Sequence, residues 1–201
     1  MTRSRFDGEI FGMGTASGVR IVVGHWLASP LGEFTDVMVE FADGERLLIA
    51  PSDEVRDYVT ATYTFDRTVV TPVKFSVEGS TRVVSAGDLL VRLELGRATL
   101  LGRMLSMVPR AVSTAPWFCA LSDPIARVVM RGVRTRGTAG NGRREFYGAR
   151  GQYAIESVVA SWRGADLGTL GPVDPPVRFG FGSAPKRPSG TMLTTTIVDG
   201  G

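Results

Sequence analysis

The fold is decided by the stretch DVMVEFADGERLLIA, residues 36 to 50. Val37, Val39 and Phe41 alternate with Met38 and Glu40, which is the period of a β-strand with one apolar face. The Asp-Gly dipeptide that follows is typical of a tight turn between antiparallel strands. The apolar run LLIA then supplies a second strand, so these residues predict a β-hairpin.

Similar segments recur on both sides of this hairpin. Leu89, Val91 and Leu93 alternate with Arg92 and Glu94, for example, and the C-terminal segments are rich in β-branched and aromatic residues. The further predicted strands cover residues 7–13, 19–26, 73–77, 83–84, 88–95, 152–162, 178–182 and 191–198. Residues 132–151 and 164–190, which are rich in glycine, arginine or proline, are predicted as loops.

Helical patterns are fewer and lie mostly in the middle of the chain. Ser52 is a suitable N-cap for a short helix to about Thr60, between two strands. Residues 97–108 carry apolar side chains at helical spacing, and a second helix is predicted to begin at Ser122. The sequence therefore predicts a mainly β (α+β) fold, an antiparallel β-barrel or strongly curved sheet with a central helical insertion at about residues 97–131.

Length and composition limit the class of protein. The 201 residues, 43% of them hydrophobic, suit a single domain that spans residues 1–201 and is neither disordered nor divided. No apolar run is long enough to cross a bilayer. Asp7 and Glu9 stand where a signal peptide would need its apolar region, so we expect a cytoplasmic protein. An assembly of two copies is left open.

The sequence excludes several kinds of active site. Cys119 is the only cysteine and His25 the only histidine, which excludes zinc sites built from several such ligands. The glycines of residues 12–18 lack the spacing and the following helix of a dinucleotide site, and no phosphate-binding loop with a GxxxxGK[ST] pattern occurs. We therefore predict no metal and no cofactor.

The candidate acid and base residues are His25, Asp36, Glu40 and Tyr147. Asp36 and Glu40 share one face of the predicted strand but lie about 13 Å apart along it, too far for a glycosidase-type carboxylate pair. Each could instead supply polarity to a pocket or lie on a solvated strand face. His25 could equally be a structural histidine at the end of an apolar strand.

Arginine dominates the basic residues, since only Lys74 and Lys186 among the 23 are lysines. A genome rich in G and C would produce this bias without any selection on function. The arginines nevertheless concentrate between residues 127 and 150, beside a glycine-rich loop, where Arg134, Arg136, Arg143 and Arg144 precede Tyr147. Guanidinium groups beside glycine amides can bind an anion. A solvated basic loop is the alternative, and a net charge of only +3 disfavours a dedicated nucleic-acid protein.

Together these features favour a β-barrel-like domain that binds a small, largely apolar molecule with an acidic group met by arginine. Its candidate ligand-binding residues are His25, Trp26, Asp36, Glu40, Arg134, Arg136, Arg143, Arg144 and Tyr147. The aromatic residues that could line a pocket or fill a core are Trp26, Phe41, Phe75, Trp117, Trp162 and Phe179. Two alternatives stay open: an enzyme that acts on such a ligand with His25, Asp36 or Glu40 as acid or base, and a basic module for nucleic acid or anionic lipid.

Several stretches also carry a resemblance. SPLGEFTDVMVE at residues 29–40, GVRTRGTAG at 132–140, GRREFYGA at 142–149 and PVRFGFGS at 176–183 together resemble a family of uncharacterised actinobacterial proteins. This resemblance covers nearly the whole chain and implies neither an activity nor catalytic residues. The strand pattern is loosely similar to lipocalin-like barrels, and fold alone does not determine function.

Overall fold

In a computed structural model, the chain is described over residues 3–108, 136–138, 144–180 and 184–198. Within these residues the fold is mainly β, as predicted, with thirteen strands in one sheet and two helices. The elements are β1 (Arg3–Thr15), β2 (Arg20–Ala28), β3 (Phe34–Glu40), β4 (Arg46–Ala50), α1 (Asp53–Thr60), β5 (Arg67–Val70), β6 (Val73–Glu78), β7 (Thr81–Ala86), β8 (Leu89–Ala98), α2 (Leu100–Ser106), β9 (Arg136–Thr138), β10 (Arg144–Trp162), β11 (Ala165–Asp166), β12 (Leu170–Gly171) and β13 (Ser189–Val198).

The predicted hairpin is confirmed as the antiparallel pair β3 and β4. In its turn, the N–H of Phe41 donates to the carbonyl of Glu45, and the N–H of Gly44 donates to the carbonyl of Phe41. Gly44 has a φ of 94°, a conformation that glycine adopts without the steric cost of a Cβ. The Asp-Gly dipeptide therefore forms the predicted tight turn, because its glycine adopts this conformation readily.

The sheet is open and strongly curled, so it forms a half-barrel. Its main strand order is β5-β4-β3-β2-β1-β13-β10-β8-β7-β6, with the short strands β9, β11 and β12 attached to β10 or β1. Nearly all the pairs are antiparallel, but β4 and β5 run parallel. A parallel pair needs a crossover connection, which α1 supplies with Ser52 as its N-cap, as predicted.

One face of the sheet forms the packed interior of the half-barrel. Strands from both ends contribute to the same buried cluster, with Val37 and Ile49 on one side and Val84 and Val91 on the other. Each of these four side chains is at most 1% exposed. Phe41, Phe75 and Trp162, which were candidates for pocket or core, all pack against this cluster. The inside of the half-barrel is therefore a core.

The opposite face of β1–β4, β10 and β13, called here the outer face, packs under α1 and the chain that follows it. Leu48 and Ala50 of β4 are buried there with Val55 and Val59 of α1. Phe179 belongs to a neighbouring cluster on this face. The molecule thus buries both faces of this half of its sheet.

The predicted helical insertion is confirmed over α2, where Thr99 caps the first turn by accepting a hydrogen bond from the N–H of Gly102. Residues 109–131, including the helix predicted from Ser122 and the aromatic candidate Trp117, lie outside the described residues. Among the helices that the structure describes, none is long and apolar enough to cross a membrane.

Several local predictions were wrong, and the short strands β9, β11 and β12 all fall within segments predicted as loops. Residues 144–151 were predicted as loop but extend β10, because their backbone pairs with β13 from Arg144 to Gly151. Residues 178–180 were predicted as strand but run irregularly over the outer face, where Phe179 is buried. Composition misled at residues 144–151, since glycine and arginine are tolerated in a strand whose neighbours supply the ladder.

Candidate functional site

A pocket lies between the outer face of the sheet and α1. It encloses about 540 Å³ of space, including solvent at its open mouth. We call it the α1 pocket. Its lining residues are Phe6, Ile10, Val22, Gly24, Trp26, Phe34, Asp36, Met38, Tyr58, Val59, Thr62, Tyr63, Tyr147, Thr195 and Ile197. The strands supply alternate residues, because period-two alternation directs every second side chain to this face.

Gly24 makes the room for the polar centre of this pocket. It pairs with Asp36 across β2 and β3. A Cβ at this position would stand 2.7 Å from Asp36 Oδ1 and 2.8 Å from Trp26 Nε1. The indole N–H of Trp26 instead donates a hydrogen bond of 3.0 Å to Asp36 Oδ1 across the space that the glycine leaves. The absence of a side chain at Gly24 thus allows this bond to form.

Asp36 is the chemically distinctive residue of the α1 pocket. Its side chain is buried, with 1% of the residue exposed, and Oδ2 has no hydrogen-bond partner among the described residues. Burial raises the pKa of Asp36 from 3.8 to about 7, against the opposing effects of the Trp26 hydrogen bond and its own backbone N–H. Near neutral pH this carboxyl group is therefore divided between its acid and its ionised form.

Aromatic rings form one wall of the pocket. Phe6 lies at its centre, with ring centroids 5.2 Å from Tyr58, 5.6 Å from Trp26 and 6.4 Å from Phe34. The Phe6 contacts with Trp26 and Phe34 are edge-to-face, the geometry that aromatic quadrupoles prefer. Such a wall can pack against an apolar molecule or hold a cation over a ring face.

Hydroxyl groups add a few polar points to the lining. The hydroxyls of Tyr63 and Tyr147 are joined by a hydrogen bond of 2.8 Å. Thr195 is buried, and its Oγ1 has no hydrogen-bond partner among the described residues. Asp36 and Thr195 therefore both line the pocket, and each holds a buried polar atom that has no partner among the described residues.

Three of the residues predicted from the sequence meet in this pocket: Trp26, Asp36 and Tyr147. His25 lies on the opposite face of the sheet, because it is adjacent to Gly24 in the alternating strand. Its ring stacks on Phe75 at 3.8 Å, and Nδ1 is 2.8 Å from Thr35 Oγ1. The structure thus keeps His25 apart from Asp36.

Glu40 shares the outer face with Asp36 but is engaged in ion pairs. Its Oε1 lies 3.1 Å from a terminal nitrogen of Arg20 and 2.7 Å from Nε of Arg178, while Oε2 accepts from the backbone N–H of Arg178 at 2.7 Å. Glu40 is fully buried, and it does not line the α1 pocket. Its contacts hold Arg178 and the adjoining residues, called here the 178 segment, against the sheet.

The predicted arginine cluster falls largely beyond what the structure describes. Arg134 and Arg143 lie outside the described residues. Arg136 belongs to β9 and pairs with Phe146, and Arg144 begins β10. The anion site that these residues predict stays a prediction. Among the described residues, no group of three or more His, Cys, Asp or Glu side chains could hold a metal ion.

Sequence reasoning missed much of the pocket lining. Tyr58, Val59 and Thr62 stand at helical spacing at the end of α1, which would have indicated a helix face packed on the sheet. Phe6 and Thr195 come from the first and last strands described, and they become neighbours because β1 pairs with β13. A pairing between the two ends of the chain leaves no local signal in a single sequence.

The comparisons with known proteins are sparse. No protein-family model matches the chain, and a search of curated proteins found no match. A crystal structure of a Nitrosomonas europaea protein, described provisionally as AttH, is 11% identical with a TM-score of 0.35. The match covers 99% of this chain and 52% of that one, so this chain spans about half its length. A likeness at this level supports no argument about function.

Proposed function

We propose that the protein binds a small, largely apolar molecule in the α1 pocket. The observation that carries this proposal is Asp36 Oδ2, a buried polar atom that has no partner among the described residues, at a pocket with a mostly apolar and aromatic lining. Ligand sites combine mostly apolar walls with a few placed polar groups. A packed core would have filled this space, as it does on the other face of the sheet.

The ligand is proposed to bind on the outer face and not inside the half-barrel. The interior residues Phe41, Phe75 and Trp162 pack together around a buried cluster. Among the aromatic candidates that the structure describes, Trp26 lines the pocket. This placement differs from that of a barrel that holds its ligand within its strands.

The pocket favours a neutral or cationic ligand over an anionic one. No basic side chain belongs to the lining of the α1 pocket in the part of the chain that the structure describes. Asp36 would repel a carboxylate or phosphate once it is ionised. An acidic ligand group would therefore need the arginines of residues 134–144, which is a separate prediction.

Of the acid and base candidates, Asp36 and Tyr147 share the α1 pocket, where the Tyr147 hydroxyl is bonded to that of Tyr63, whereas His25 and Glu40 lie outside it. His25 and Asp36 stand on opposite faces of the sheet, and Glu40 is saturated by two arginines. General acid–base catalysis needs both groups within hydrogen-bond reach of one substrate. Binding is thus the function that these residues support best.

The test is titration with the neutral apolar fluorophore N-phenyl-1-naphthylamine, with native mass spectrometry of the purified protein as a check for a retained molecule. Val59→Phe would fill the pocket from α1, and Val159→Phe makes the same change at a side chain that is 68% exposed. We expect the first variant to weaken binding by about tenfold or more and the second to leave it unchanged.

Equal binding to the wild type and Val59→Phe, or no binding to the wild type, would overturn the proposal. Overpacking can destabilise a protein by about 1 to 3 kcal/mol, so thermal unfolding must show that Val59→Phe is folded. Thr62→Phe, which enters the same pocket from the end of α1, replaces it if it is not.

A further inference from the structure

We propose that the ligand of the α1 pocket carries a protonated amine, which pairs with Asp36 and lies against the aromatic wall of Phe6, Trp26, Phe34 and Tyr58. This inference rests on the proposed binding function and specifies the chemistry of the molecule bound. The class of ligand is a small amine with an apolar, preferably aromatic, body.

One oxygen of Asp36 has no hydrogen-bond partner among the described residues. Its Oδ1 accepts from the indole N–H of Trp26, whereas its Oδ2 accepts from no described residue. A buried carboxylate is costly unless it is paired with a cation or fully hydrogen-bonded. The described lining offers no lysine, arginine or histidine. A cationic ligand would supply the charge that the described residues do not place there.

An ammonium group matches what the unpaired oxygen of Asp36 lacks. It carries a full charge and three N–H donors in a compact head, so it can both pair with an ionised Asp36 and donate to its Oδ2. A ligand hydroxyl would donate a single proton and leave the charge of an ionised Asp36 uncompensated.

The aromatic wall lies directly beside Asp36. Trp26 both donates to Asp36 and presents its ring to Phe6, so the carboxylate and the aromatic cluster are contiguous. Cations are attracted to the faces of Trp, Tyr and Phe rings, and the attraction grows when water is excluded. A carboxylate beside several rings is the arrangement that suits an amine with an apolar body.

The titratable groups that line the pocket with Asp36 are Tyr58, Tyr63 and Tyr147. Tyrosine hydroxyls ordinarily lose their protons near pH 10, so Asp36 is the group that titrates near neutrality. Binding of an ammonium ion at pH 6 should consequently release a proton from Asp36. Binding of a neutral alcohol should release none.

The experiment compares three matched probes by isothermal titration calorimetry at pH 8: 2-phenylethylamine, 2-phenylethanol and 3-phenylpropionate. We expect the amine to bind at least about tenfold more tightly than the alcohol and the carboxylate to bind most weakly. In Asp36→Asn the preference for the amine should fall to within about twofold. Asp66→Asn, which changes an exposed aspartate, is the matched control and should keep the preference.

Each other outcome has a defined meaning. If the alcohol binds as tightly as the amine, the inference is wrong and the pocket stands. If 3-phenylpropionate binds best, an anionic ligand replaces the amine. If none of the probes binds and N-phenyl-1-naphthylamine does not bind either, the binding function itself fails. Should Asp36→Asn not fold, calorimetry of the wild type at pH 6 in two buffers of different ionisation enthalpy tests proton release directly, and equal heats would contradict the inference.

Discussion

Strand β3 carries two buried carboxylates, Asp36 and Glu40, whose partners differ. Asp36 and Glu40 lie on the outer face of β3, and their residues are 1% and 0% exposed. Glu40 is surrounded by Arg20, Arg178 and a backbone N–H. Asp36 receives the indole N–H of Trp26 and leaves Oδ2 unpaired among the described residues.

The difference lies in what covers each end of the strand. Over Glu40 runs the 178 segment, which brings a guanidinium and a main-chain donor to the carboxylate. Over Asp36 lie the aromatic wall and α1, which bring rings and hydroxyls but no cation. A buried charge with its counter-charge in the chain serves the fold, whereas one without it is a candidate for ligand binding.

The largest expected effect comes from removing the charge of Glu40, the carboxylate whose ion pairs are complete. Glu40→Gln would leave Arg20 charged and buried without its carboxylate, so we expect the free energy of unfolding to fall by about 3 to 5 kcal/mol. Urea denaturation measures it. Glu45→Gln removes the partially exposed partner of Arg67 and should cost about 1 kcal/mol or less. Equal losses in the two variants would show that the buried ion pairs of Glu40 contribute no more to stability than the partially exposed pair of Glu45.

The contribution of Asp36 to the free energy of unfolding should depend on pH. Because the pKa of Asp36 is raised to about 7 in the folded state, the folded chain holds a proton that the unfolded chain releases near pH 4. This contribution to stability is complete below about pH 4 and is lost as the pH rises to about 7, by on the order of 4 kcal/mol at most. The wild type should therefore lose stability relative to Asp36→Asn over this window.

The measurement for Asp36 is urea denaturation of both proteins at intervals from pH 4 to pH 8. The difference between the two proteins isolates Asp36, because other groups titrate in both. A difference that stays constant over the window would mean that Asp36 is paired in solution, and the contrast with Glu40 would disappear.

The sequence predicted more of the fold than of the candidate site. Alternation and the Asp-Gly turn predicted β3 and β4, and Ser52 predicted the start of α1, because these signals depend on neighbouring residues. The parallel partner β5 was missed, since a four-residue strand at the sheet edge has little periodicity to detect. The prediction that β10 begins only at Gln152 failed because pairing with β13 overrides composition.

For the site, the sequence supplied Trp26, Asp36 and Tyr147 but not the relation between them. It could place Asp36 and Glu40 on one face of a strand, but it could not show that Arg178 would reach only one of them. Gly24 is ordinary in the sequence and becomes informative once Asp36 is known to lie opposite it. Relations of this kind depend on sheet register and on crossing segments, which are distant in the chain.

His25 extends the comparison to the other face of the sheet and should show the smallest effect, with the opposite sign. Burial lowers the pKa of His25 from 6.5; Glu33 opposes this shift and Arg82 adds to it. The unfolded chain therefore takes up a proton before the folded chain does, so this contribution to stability is present above pH 6.5 and is lost as the pH falls through the folded pKa. Urea denaturation of His25→Gln between pH 7 and pH 5 should show the wild type losing stability relative to the variant on acidification. The effect should be modest because the ring is only half-buried. A relative gain in wild-type stability on acidification would instead mean that the folded chain holds His25 in its charged form. The packed face of the sheet would then contain an ionised group as well.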